Sequence, residues 1–135
     1  MIPSLLDTDT LSEILKGRNR PIAEKATEYL AQFGSLAFSL ITRYEILRGL
    51  RARHAAAQLS RFNSQCERSR VLPISDEIVV KAADLYAELR ARGALISDAD
   101  LFIAATAMQH GLTLVTNNLD HFRRISGLAV QSWAE

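Results

Sequence analysis

The chain has 135 residues, which fits one domain, since single domains cluster at about 100–150 residues and one of this size buries about two thirds of the surface its unfolded chain exposes. Hydrophobic residues at 48% and charged residues at 23% are ordinary globular values, and no apolar run approaches the roughly 18 residues of a membrane helix. A net charge of +1 argues against a uniformly polyanion-binding surface, and a lone Cys66 excludes an internal disulfide.

The N-terminus, Met-Ile-Pro-Ser-Leu-Leu-Asp, shows neither a basic leader nor a small-residue cleavage pattern, so a cytoplasmic protein is expected. Residues 2–6 form a short apolar strand that stops at Asp7-Thr8-Asp9. Thr10-x-x-Glu13 then has the form of a capping box for a first helix, and Pro21 suits the first turn of a second. A strand over 36–39, helices over 41–54 and 55–67 and a strand over 71–74 follow. A helix over 75–92 is closed by Gly93 and another over 98–110 by Gly111, before strands at 112–115 and 128–130. The order β-α-α-β-α-α-β-α-α-β-β, with short continuous apolar strands, predicts a three-layer α/β/α domain around a parallel sheet of about five strands. No repeat, linker or low-complexity segment interrupts residues 1–135, so one domain is expected throughout.

Charge is uneven along the chain. Arginines outnumber lysines 13 to 3, and between Arg43 and Arg70 seven arginines stand against only Glu45 and Glu67. A surface that follows a phosphate backbone is one reading of that segment, with Arg48 and Arg51 as its test positions; a solvated helix face is the other.

Three acidic positions recur in comparable settings. Asp7 and Asp9 sit at a strand's carboxyl end, where open α/β sheets bind ligands. Glu45, in Ser39-Leu40-Ile41-Thr42-Arg43-Tyr44-Glu45, and Asp100, in Asp98-Ala99-Asp100-Leu101-Phe102-Ile103, each open or ride a helix beside an apolar element. Singly, each has an ordinary explanation: Asp9 as a cap, Glu45 as a surface charge, Ser97-x-x-Asp100 as a capping box. Jointly, crowded carboxylates raise one another's pKa unless a cation compensates. All-oxygen ligands suit Mg²⁺ or Mn²⁺, whereas Zn²⁺ favours His or Cys, and here Cys66 stands alone while His54, His110 and His121 are scattered. No Gly-x-Ser-x-Gly elbow, phosphate-binding glycine loop or Cys-x-x-Cys pair is present, which leaves phosphoryl chemistry at a metal. Asp98 and Asp100 point about 200° apart on a helix, so one faces the metal and the other serves as a cap or first-turn charge. Asp100 leads the stripe Ile103, Ala104, Ala107 and is the expected ligand.

Four segments in order carry a resemblance: Leu5-Leu6-Asp7-Thr8-Asp9, Ser39-Leu-Ile-Thr42-Arg-Tyr-Glu45-Ile-Leu-Arg-Gly49, Asp100-Leu-Phe-Ile103-Ala104-Ala105, and Val115-Thr116-Asn117-Asn118 with Phe122, Gly127-Leu128 and Trp133. Together they resemble the PIN-domain ribonucleases of the VapC toxin family nearly end to end. The resemblance implies that Asp7, Glu45 and Asp100 hold Mg²⁺ or Mn²⁺, and that bound water cuts an RNA phosphodiester. Where many PIN domains place a fourth aspartate, this chain reads Thr116-Asn117-Asn118-Leu119-Asp120, so Asn118 through its carbonyl, or Asp120, takes that place. Thr8, Thr42 and Thr116 are expected to orient carboxylates or water, and Asp9 and Asp98 to support the site. Implied partners are an RNA substrate, a small VapB-like antitoxin and a second copy of the chain. Tyr29, Phe33, Leu47 and Leu50 offer apolar side chains for an interface, although such spacing is the commoner signature of core.

Two rivals share the acidic cluster. A haloacid-dehalogenase-like phosphotransferase fits Asp7-Thr8-Asp9, but it expects Thr or Val where Leu11 stands and a lysine near a later strand. A phospho-accepting receiver domain needs a lysine after its final strand. Lysines occur only at 16, 25 and 81, which favours the nuclease.

Overall fold

The computed structural model describes residues 1–135. In chain order it comprises β1 (Ser4–Leu6), α1 (Thr8–Lys16), α2 (Arg20–Phe33), β2 (Ala37–Ser39), α3 (Leu40–Ala52), α4 (Ala56–Glu67), β3 (Arg70–Leu72), α5 (Asp76–Ala91), α6 (Asp98–Gln109), β4 (Thr113–Val115), α7 (Leu119–Phe122) and β5 (Val130–Gln131). The expected order holds, with the short α7 added between the last two strands. No helix is long and apolar enough to cross a membrane.

Local chemistry starts the helices. Side chains of Asn19, Ser39, Ser75 and Ser97 each accept a backbone N–H in the first turn of α2, α3, α5 and α6, satisfying donors that have no partner within the helix. α1 departs from expectation: Asp7, and not Thr10, is its cap, accepting the Thr8 N–H. Thr10 Oγ1 donates instead to Asp9 Oδ1, and Glu13 lies 3.7 Å from Lys16. A carboxylate at the strand end reaches an unpaired N–H three residues earlier than the Thr10 box would, so the helix starts without a connecting loop.

All pairings are parallel. β1 is bonded to β4 and β4 to β5, while β2 is bonded to β3; β1 lies beside β2, joining the two ladders into one layer. Alternate strand residues face opposite sides. Leu5, Ala37, Leu72 and Leu114 enter one core with α5 and α6, and Leu6, Phe38, Val71 and Val115 enter a second with α1 to α4. This is the expected α/β/α arrangement. In α6, Ala104, Ala105 and Ala107 are fully buried, so this helix is apolar almost all round and lies tightly against the sheet and α5.

The apolar residues read as a candidate interface are core. Tyr29 and Leu50 are buried, and Phe33 and Leu47 pack against the same cluster. Tyr29 also closes a polar gap, since its hydroxyl accepts the buried Ser4 N–H at 3.0 Å. Tyr29→Phe is expected to destabilise the protein by about 1–3 kcal/mol, the penalty of a buried donor left unpaired. Urea denaturation measures it, and an unchanged midpoint would show that another group satisfies Ser4.

Candidate active site

Parallel pairing decides which polar residues meet. Leu6 is in register with Val115, so Asp7 and Thr116 emerge together at the strands' carboxyl end. The Asp7 N–H extends the ladder to the Val115 carbonyl at 2.8 Å, and Thr116 Oγ1 donates to Asp7 Oδ2 at 2.8 Å. Asp7 Oδ1 accepts the Thr8 N–H at 2.8 Å. Only 5% of Asp7 is exposed. That burial pushes its carboxyl from the ordinary 3.8 up to about 7; negative Asp9 adds to the rise, the Thr116 and Thr8 donors oppose it, and Asp100 contributes a smaller increment.

β2 delivers the second group. Ser39 Oγ accepts the Thr42 N–H at 3.1 Å, turning the chain into α3, whose second turn carries Glu45. Thr8 Oγ1 lies 2.7 Å from Glu45 Oε1 and 3.0 Å from Thr42 Oγ1. A hydroxyl has one proton, so Thr8 donates to Glu45 and accepts from Thr42. Thr8 thereby ties the end of β1 to α3.

The third group comes from α6. Ser97 Oγ accepts the Asp100 N–H at 3.2 Å, so Ser97 is the cap, Asp98 is the exposed first residue of the helix, and Asp100 turns inward. Asp100 Oδ2 lies 3.5 Å from His121 Nδ1 on α7, a buried nitrogen with no hydrogen-bond partner.

The loop after β4 completes the rim. Asp9 Oδ2 accepts the Asn117 N–H at 3.1 Å, and the Asn118 N–H donates to Thr116 Oγ1 at 2.9 Å. Asn118 therefore acts on the site through its backbone, by holding the hydroxyl that holds Asp7. Asp120 is exposed on α7.

Asp9 and Asp100 thus stand within electrostatic reach of Asp7, and Glu45 is bonded to the residue after Asp7. No three His, Cys, Asp or Glu side chains enclose a common point. Like charges repel, and each carboxylate is drawn to a hydroxyl, an N–H or His121 rather than to its fellows. No lysine or arginine pairs with Asp7, Asp9 or Asp100. A buried Asp7 with half-buried Asp9, Glu45 and Asp100 around it is an all-oxygen donor set, which suits a hard divalent cation, Mg²⁺ or Mn²⁺, better than zinc.

Two features escaped the sequence. His121 read as a scattered histidine, and only the packing of α7 brings it to Asp100. Of the expected phosphate-contacting pair, Arg48 lies 3.7 Å from Glu45 and 5.1 Å from the Tyr44 ring centre, and neither it nor Arg51 lines the open cavity of about 730 Å³ that Thr8 and Glu45 help to line.

The chain is similar to known proteins along most of its length. The chain is 34% identical over 121 residues to ribonuclease VapC1 of Methanocaldococcus jannaschii, covering 90% of this chain and 79% of that one. It is 29% identical over 137 residues to the tRNA(fMet)-specific endonuclease VapC of Salmonella typhimurium, covering 98% and 99%. Among solved structures, a chain of the DNA-bound VapBC complex from Salmonella typhimurium superposes with a TM-score of 0.87 at 28% identity, covering 98% of this chain and 99% of that one. Residues 4–128 match the PIN domain, a span that runs from β1 to the approach of β5 and takes in Asp7, Glu45 and Asp100, and the chain belongs to the PIN-domain family.

Proposed function

We propose that this protein is a metal-dependent endoribonuclease, the toxin of a toxin–antitoxin pair, and that Asp7, Glu45 and Asp100 are its essential acids. The observation that carries the reading is Asp7: a carboxyl buried at the sheet's carboxyl end, raised to about 7, with Asp9 and Asp100 beside it and no lysine or arginine paired to any of them. The relatives named for RNA cleavage support the substrate class, and the solved VapBC complexes support a VapB-like antitoxin as partner. A homodimer in the cytoplasm completes the reading.

Asp7 and Asp100 would hold Mg²⁺ or Mn²⁺, with Glu45 and Asp9 at the rim. When bound, such a cation lowers the pKa of water and neutralises charge on the attacked phosphate. The protein's own groups prepare that chemistry. Thr116 and the Thr8 N–H fix both oxygens of Asp7, so the carboxylate has one orientation. Thr8 presents Glu45 from the opposite side, and Asn118 fixes the Thr116 hydroxyl. Asp98 and Asp120, both exposed, act at most through long-range charge.

RNA cleavage by the purified protein is expected to require added Mg²⁺ or Mn²⁺ and to fall to background in excess EDTA. Cleavage that persists at full rate in EDTA would overturn the metal assignment. Turnover of small phosphomonoesters with intact RNA would favour the phosphotransferase instead.

A further inference from the structure

A cavity that Thr8 and Glu45 help to line extends between α1, α3 and α4, and none of Asp7, Asp9 and Asp100 lines it. Its walls are sharply biased in charge. Lys16, Arg18, Arg53, Arg61 and Arg68 line it, and Glu45, at the mouth, is its only acid. Lys16 is 3.7 Å from Glu13, whereas Arg18, Arg53, Arg61 and Arg68 have no carboxylate within ion-pair distance; the side-chain contact of Arg68 is with neutral Gln65.

Helical spacing concentrates this charge. Arg61, Ser64, Gln65 and Arg68 share one face of α4 and line the cavity, while Phe62 and Cys66 on the other face are buried in the core. The wall therefore presents cations alternating with neutral hydrogen-bonding groups, with Ser12, Ser60 and Gln58 continuing the pattern. Five cations against one carboxylate make the wall suit an extended polyanion.

We propose that this groove binds the phosphate backbone of a single RNA strand, with Arg53, Arg61 and Arg68 as its contacts, and that the strand runs past Thr8 and Glu45, the two site residues that line it. The proposal rests on the ribonuclease reading for the fate of the strand but not for its binding. Five cations against the single carboxylate of Glu45 attract phosphates along the groove. Arg48 and Arg51 lie outside this path, so their neutralisation is expected to alter binding less.

The test measures binding of a fluorescent oligouridylate to the full-length protein in excess EDTA, across a range of salt concentrations. The Arg53→Gln, Arg61→Gln, Arg68→Gln triple variant is expected to lose about 2 from the log–log salt slope, at about 0.7 per phosphate contact, and to bind at least about tenfold more weakly at low salt. The corresponding Arg→Lys triple variant should recover most of the slope, and Arg90→Gln on α5 should match wild type. With metal present, the Gln variant should raise KM for RNA more than it lowers kcat. An unchanged slope and affinity in the Gln variant overturn the proposal, even if the wild type cleaves RNA. So does a variant that keeps RNA binding but loses the wild type's affinity for polyglutamate, which would assign the groove to an acidic protein segment. A wild type that never cleaves RNA, yet whose RNA binding depends on these arginines, would remove the nuclease reading and leave the groove in place.

Discussion

Asp7→Asn is expected to abolish RNA cleavage and, in chelator, to raise the stability of the protein by an amount that grows with pH. Burial first, then the charge of Asp9, pushes the Asp7 carboxyl to about 7 from 3.8, so the folded state holds this proton more tightly than the unfolded state does. Below the ordinary value both states are protonated and Asp7 costs nothing. As pH rises through that window the unfolded chain releases its proton first, and stability falls until the folded carboxyl ionises as well. Above about pH 7 the cost is complete. Three units correspond to about 4 kcal/mol as an upper bound. An amide has no charge to desolvate, its oxygen keeps the Thr8 N–H and its NH2 donates to the Thr116 hydroxyl, so the variant escapes the penalty. Melting temperatures of wild type and Asp7→Asn should therefore coincide near pH 4 and separate by several degrees at pH 8. A variant less stable than wild type at pH 8, or one that still cuts RNA, would remove Asp7 from the centre of the site.

The second large effect separates two acids on one helix. Asp100→Ala is expected to eliminate metal-dependent cleavage, because Asp100 turns inward toward Asp7 and His121. Asp98→Ala should keep most activity. Its stability cost is smaller than the roughly 1 kcal/mol of a lost cap: Ser97 accepts the N–H in the first turn, and Asp98 contributes only its charge near the helix N-terminus, about 0.3–1 kcal/mol. The cap prediction belongs to Ser97→Ala, which should cost about 1 kcal/mol. Activity lost in Asp98→Ala and kept in Asp100→Ala would reverse the helix register and falsify the assignment.

Much of this protein is legible from local patterns. An apolar run stopped by Asp7-Thr8-Asp9, small buried residues after Asp100 and a helix entry from Ser39 to Glu45 each depend on neighbours a few residues away, and each element forms near where its pattern puts it. Alternation along the strands likewise determines which of Leu5 and Leu6 enters which core, because successive side chains must point to opposite faces. Which acid would do what was not available at that range. Asp9 reads as a helix cap, yet it receives the Asn117 N–H and presses on Asp7 because parallel pairing of β1 with β4 sets the loop after Val115 beside α1. Asn118, read with Asp120 as an alternative for the fourth position, holds Thr116 through its backbone N–H, a contact no side-chain pattern announces. His121 reaches Asp100 only because α7 folds back over the start of α6. The arginine segment shows the same division. Its charge is evident in the sequence, and helical spacing alone puts Arg48 beside Tyr44 and Glu45 of its own helix, but only the packing of α1 against α3 and of α3 against α4 makes the face that carries Arg61 a wall of the groove. Periodicity reports the direction of a side chain relative to its own helix; its distance from a group contributed by a remote segment is set by long-range pairing, which no local pattern encodes.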